Sequence, residues 1–192
     1  DPRATPLRPE PVASSDAWGV NALLPSGGAV WAATLRGAYR LAGGEARALE
    51  GAGGAYALAS TPGGVAVGYA QGVLLPGQRL LSAWHGLPGN QAYALAAEGD
   101  ALWVGTPTGL GRVEGRRVTE RVLPGEGKLP HPWVTALHAG RDGLWVATYG
   151  GGIAVRRAGE GPAAWEPFPQ TRGLRVNAGA LLALPDGRLC AG

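Results

Sequence analysis

Residues 100–115 read DALWVGTPTGLGRVEG, and residues 142–157 read DGLWVATYGGGIAVRR. Both run acid, small residue, Leu-Trp-Val, small residue, Thr, then a glycine-bearing turn and a second apolar run. Taking the tryptophan as anchor, the twelve residues ending at Trp103 (AYALAAEGDALW) and at Trp145 (VTALHAGRDGLW) align without a gap on three further stretches. These are VNALLPSGGAVW ending at Trp31, AYALASTPGGVA ending at Ala66 and GALLALPDGRLC ending at Cys190. A leucine takes the same place each time, as Leu23, Leu58, Leu95, Leu137 and Leu182. The anchors step by 35, 37, 42 and 45 residues. Self-similarity at a spacing of roughly 40 residues marks a solenoid, a propeller or an array.

Inside each copy the apolar period is two. ALWVGT and GLWVAT read as strands buried on both faces, and AYALAA and VTALHA as shorter strands before them. Between the two lie PSGG, TPGG, EGD, GRDG and PDG, which suit hairpin turns. A third strand follows in AYRLAG, VLLPG, LGRVEG and IAVRRAG, and a looser fourth in EARALEG, QRLLSAW, RRVTERV and AAWEPF. The 34 glycines and 16 prolines leave little room for helix. The expected fold is all-β: a β-propeller of four-stranded antiparallel blades, about four and a half in this chain, within a larger or completed ring. The expected boundaries are 18–51, 52–88, 89–130, 131–174 and a partial blade at 175–192. They follow a proline-rich segment at 1–17 that is either extended or an outer edge strand. The open faces call for a completing segment or self-association.

Side-chain roles follow from the register. Trp31, Trp103 and Trp145 are expected in equivalent second strands, buried between blades. Thr34, Thr106 and Thr148 are expected to bond backbone at the following turn, and His138 to pack between blades. Candidate binding residues are Trp84, His85, Asn90, His131 and Trp133, in the loops leading into two blades, with Lys128 beside them. A second set, Arg36, Gln71, Thr108 and Tyr149, follows the second strands and is expected on the opposite face.

Enzyme motifs fail. There is no H-E-x-x-H, G-x-S-x-G or C-x-x-C, and GEGKLP puts Leu129 where a phosphate loop needs Ser or Thr. No cofactor and no metal site is expected. The net charge of +3, from 17 basic and 14 acidic residues, brings no arginine run beyond Arg116–Arg117 and Arg156–Arg157. That argues against nucleic acid. No run of 18 apolar residues crosses a membrane. One cysteine excludes an internal disulfide.

WHGLPGNQAYALAAEGDALWVGTPTGLGRVEG (84–115) and KLPHPWVTALHAGRDGLWVATYGGGIAVRR (128–157) resemble the two-component regulator propeller repeat. The first copy carries Gly86, Leu87, Pro88, Asn90, Trp103, Gly105 and Thr106. The second carries Leu129, Pro130, Asp142, Gly143, Trp145, Thr148 and Gly150–Gly152. Copy two departs, with Ala66 and Tyr69 for Trp and Thr. The resemblance implies a bacterial extracytoplasmic binding or sensory propeller, periplasmic or extracellular. The start at Asp1, in a chain without Met, suggests a terminus left by signal-peptide removal or trimming. Its ligand or protein partner is unknown. The alternative is an interaction scaffold within a larger assembly. A propeller lyase or hydrolase is a minor alternative, since no acid–base pair is found.

Overall fold

The computed structural model describes residues 19–49, 53–77, 79–125, 129–159, 165–184, 186 and 188–192. The proline-rich segment at 1–17 and Lys128 lie outside the described residues. The first blade is β1 (Val20–Ser26), β2 (Ala29–Thr34), β3 (Gly37–Ala42) and β4 (Glu45–Ala48). The second is β5 (Ala55–Thr61), β6 (Gly64–Tyr69), β7 (Gly72–Leu75) and β8 (Arg79–Leu81). The third is β9 (Ala94–Glu98), β10 (Ala101–Thr106), β11 (Gly109–Glu114) and β12 (Arg117–Val122). The fourth is β13 (Val134–Gly140), β14 (Gly143–Thr148), β15 (Gly152–Arg157) and β16 (Glu166–Pro167). β17 (Leu181–Ala183) and β18 (Leu189–Ala191) form a two-stranded fifth sheet. All pairs are antiparallel between sequence neighbours, so each full sheet is the expected meander. Two short 3-10 turns, Ala83–His85 and Pro169–Thr171, complete the described elements.

The first strands line the axis: β1 lies against β5, β5 against β9, β9 against β13, and β13 against β17. Alternation along them explains the alanine content. In β9, Ala94 and Ala96 join the core shared with the fourth blade, while Leu95 joins the core shared with the second. A small residue on one face lets blades approach closely at the crowded axis, and a leucine on the other fills the gap they leave. Leu58, Leu95 and Leu137 thus each face the preceding blade. Burial of Leu95 stabilises the fold by about 1.5–3 kcal/mol, and the half-buried Leu58 and Leu137 contribute less.

The second-strand tryptophans share their register, with Leu24 opposite Trp31, Ala96 opposite Trp103 and His138 opposite Trp145. Their burial differs from the expectation. Trp103 is fully enclosed, but Trp31 and Trp145 are only half-buried. The cause lies in the following blade. Trp103 is capped by Trp165 and Arg156 of the fourth blade. β7 ends at Leu75, so the second blade presents Pro76 where the fourth presents Arg156. Among the described residues, Trp145 is covered by Phe168, by Val176 and Ala180 of the connecting segment, and by the two-stranded fifth sheet.

The fifth hairpin also departs from the alignment. Leu182 pairs with Cys190, one residue out of step with the other four hairpins. Leu184 N–H donates to Arg188 O across a longer loop, where the others have two-residue turns such as Gly27–Gly28. A one-residue slip turns every side chain to the other face. Leu181 therefore packs against the fourth blade, and Leu182 is 61% exposed.

Candidate functional site

In an antiparallel meander, the loop into the first strand and the turn after the second strand emerge at the same end. The expected opposition of two residue sets is therefore corrected: Arg36, Gln71, Thr108 and Tyr149 share the upper face with Trp84, His85, Asn90, His131 and Trp133. Thr108 Oγ1 donates to Pro88 O at 2.6 Å. The Tyr149 ring lies 4.9 Å from that of Trp133, and Tyr149 N–H donates to Trp133 O. The threonines behave as expected, with Thr34, Thr106 and Thr148 donating to Gly37 O, Gly109 O and Gly152 O at 2.8–2.9 Å.

A repeated irregularity shapes this face. The register slips between Val20 and Ala22, between Ala55 and Ala57, and between Val134 and Ala136. Such a bulge re-aims the extra residue. It turns Asn21, Tyr56 and Thr135 out of the ladder at the start of the inner strand. Asn21 Nδ2 then donates to Ala55 O, and Thr135 Oγ1 to Ala147 O. Tyr56 instead meets Tyr93, the matching residue of the third blade, at 4.8 Å. Tyr93 meets Trp133 at 5.8 Å. The result is a row of four tilted rings, Tyr56, Tyr93, Trp133 and Tyr149, at the mouth of the axis. Arg175 extends it, 5.7 Å from the Tyr149 ring centre. All four rings are partly exposed. Burial, and second the neighbouring Tyr56, push the Tyr93 phenol above its ordinary pKa. The ring faces and phenol hydroxyls of the row offer stacking surface and polar tips.

Of the residues singled out in the sequence, the structure joins Trp133 and Tyr149 in this row. The histidines brace loops. His85 Nδ1 accepts from Ser82 N–H at 3.2 Å, and His131 Nδ1 accepts from Trp133 N–H at 3.1 Å. Asn90 Oδ1 accepts from Ala83 N–H at 2.9 Å. Trp84 stands apart, 95% exposed. Sequence reasoning missed Tyr56, Tyr93 and Arg175. The signal for the tyrosines was the repeated AYALA, read as strand interior because a bulge leaves no mark in the alternation.

Hollows between blades open elsewhere. On the lower face His138, Arg141, Asp142 and Trp145 face Ala183, Asp186 and Leu189 around about 530 Å³. His138 is half-buried there rather than sealed between blades. Among the described residues no group of three His, Cys, Asp or Glu is placed to hold a metal. No helix among them is long and apolar enough to cross a membrane.

No family model matches the chain, and no curated protein does. Solved structures do. The extracellular domain of BT3049 of B. thetaiotaomicron, described as a hybrid two component system, superposes with a TM-score of 0.71 at 15% identity, over 91% of this chain and 26% of that one. The extracellular domain of BT4673 of the same organism gives 0.66 at 18% identity, over 94% and 26%. YCF48 bound to D1 peptide gives 0.60 at 16% identity, over 94% and 63%. The chain spans about a quarter of the length of the first two. What it shares with all three is the β-propeller fold.

Proposed function

We propose that this chain is a non-enzymatic binding propeller that takes a ligand or partner segment on its upper face, as a sensory domain outside the cytoplasm of a bacterium, periplasmic or extracellular. The observation that carries the reading is the row Tyr56, Tyr93, Trp133 and Tyr149 at the axis mouth, ending in the guanidinium of Arg175. Trp133 is its central member. His131 fixes the backbone at Trp133, and His85 and Asn90 hold the neighbouring loop. Fold likeness to extracellular domains of two component systems supports the sensory role, as do the Gly-Leu-Pro and Leu-Trp-Val phrases. Function is argued from the site, since propellers host many activities. The test is a binding panel of soluble metabolites, oligosaccharides and short peptides against the wild type and the Tyr93→Ala/Trp133→Ala variant. Any binder found should lose at least about tenfold in affinity in the variant, or 1.4 kcal/mol. Equal affinity in a folded variant removes the row from the site.

A second reading, a scaffold within a larger assembly, is favoured by the first blade. Its face away from the second blade exposes Leu23, Pro25, Val30 and Leu41, with Leu23 62% exposed. Leu58, Leu95 and Leu137 at the same register are covered by a blade. A completing segment or a second copy fits there. Sedimentation of wild type against Leu23→Glu separates the cases, since self-association should vanish in the variant.

A further inference from the structure

We propose that Trp84 anchors a second docking surface, on the outer rim of the upper face, that takes an acidic amphipathic segment of a partner protein. It is independent of the aromatic row.

Trp84 is 95% exposed, whereas Trp103 and Trp165 are buried and Trp31, Trp133 and Trp145 are partly covered. A scattered exposed apolar side chain is ordinary. This one sits at the tip of a loop built to hold it. His85 N–H donates to Ser82 O at 2.9 Å, Gly86 N–H to Ala83 O at 3.0 Å and Leu87 N–H to Ser82 O at 3.3 Å. Side chains close the same turn: His85 Nδ1 accepts from Ser82 N–H, and Asn90 Oδ1 from Ala83 N–H. Leu81, Ser82 and Leu87 are buried beneath it. Gly86 takes φ 100°, and a Cβ there would stand 3.5 Å from Val118 Cβ of β12. None of these bonds uses the Trp84 side chain. The loop is thus ordered before any partner arrives, which lowers the entropy lost on association. Tryptophan is among the residues enriched at the hot spots of interfaces.

The surroundings set the chemistry of the partner. The loop lies against β12 and the chain that follows it. Arg121 pairs with Gly111, which abuts Leu87 and Pro88, and Leu123 reaches Gly109 beside Pro88. Leu123 is 48% exposed, and Arg121, on the face that Gly111 turns toward Leu87, is exposed. Among the described residues Arg121 has no carboxylate partner: the nearby acids Glu120 and Glu114 pair with Arg156 and Arg112. The surface therefore presents an indole and a leucine beside an unneutralised guanidinium group. Its complement is an apolar pocket or stripe flanked by Asp and Glu. A lipid surface fits less well. Membrane attachment takes a broad apolar face or a cluster of roughly 4–8 basic residues, and here there are one indole and one arginine.

The test uses the whole chain and two labelled synthetic peptides, one repeating Leu-Glu-Glu-Leu and one repeating Leu-Lys-Lys-Leu, read by fluorescence anisotropy at low and physiological salt. Vesicles of phosphatidylglycerol and phosphatidylcholine are the third probe. The acidic peptide should bind, and more weakly as salt rises. Trp84→Ala should weaken binding about 30-fold. Arg121→Glu should weaken it about tenfold. Leu123→Glu should weaken it also, while Trp133→Ala should leave it unchanged. The proposal is overturned if the wild type ignores the acidic peptide, if both peptides bind alike, or if Trp84→Ala binds as the wild type does. Vesicle binding that depends on Trp84 would make the surface a membrane contact and overturn it too. Equal denaturant midpoints for wild type and variants exclude unfolding as the cause.

Discussion

Arg156 lies 4.5 Å from the ring centre of Trp103, and its Nη2 shares Glu98 Oε2 with the Trp103 indole N–H. Arg156 belongs to the fourth blade and Trp103 to the third, so one guanidinium closes the seam between them. Trp165 packs edge-on against the same indole at 6.4 Å, and Glu120 reaches the guanidinium at 3.8 Å. A cation over an indole, when desolvated, adds about 2 kcal/mol to the apolar burial.

Trp103→Ala should therefore cost about 3–5 kcal/mol, the range for emptying a buried aromatic site. Trp31→Ala should cost distinctly less, because its site is half open, and Trp84→Ala almost nothing. Urea midpoints of the three variants check the order.

Arg156→Ala should destabilise by about 1–3 kcal/mol, less than for a fully buried pair because Glu98 and Glu120 keep some solvent. Arg156→Met, which keeps the stem against Trp103, should recover part of this. Equal losses in the two variants would place the effect in charge alone.

Gly143 opens β14 at φ 134°, and a Cβ there would run into the Arg156 carbonyl oxygen. Gly143→Ala should destabilise by at least about 2 kcal/mol through backbone strain and displacement of β15. Gly125→Ala, also at positive φ but in open space, should cost about 1–2 kcal/mol. Thermal unfolding of the pair measures the difference.

Tyr69 fixes a pH limit. Burial pushes its phenol up, and the Ala38 backbone offsets this only in part. Its hydroxyl lacks a partner in hydrogen-bond geometry. In the unfolded chain the phenol ionises near pH 10. The folded state keeps the proton longer, so this contribution is intact below about pH 10 and is lost as the pH rises through the folded value. Tyr69→Phe should hold its urea midpoint across that range where the wild type declines.

The fold was legible because its signal is repeated. Trp31, Trp103 and Trp145 fall at one register, and the strands follow from the spacing of Gly pairs around them. Burial was less legible, because the cover over each tryptophan comes from the next blade, where Arg156 and Pro76 differ. Leu182 misled because an alignment does not show that the loop after Leu184 shifts the pairing by one. The aromatic row stayed hidden for a related reason. Tyr56 and Tyr93 belong to an ordinary alternating strand in sequence, and only the bulge turns Tyr56 toward Tyr93 and Trp133. The faces of Tyr149 and Trp133 were misassigned by one turn of the meander.

The central claim is that the upper-face row receives the ligand, and fluorine NMR of protein carrying 5-fluorotryptophan tests it most directly. Substituting each tryptophan in turn by phenylalanine assigns the resonances. Trp133 reports the upper row, Trp145 the lower hollow beside His138, and Trp103 the sealed seam. The account predicts that a ligand from the binding panel shifts the Trp133 resonance in a saturable way and leaves Trp103 and Trp145 in place. A saturable shift at Trp145 with Trp133 unmoved would contradict it and put the site at the lower end of the axis.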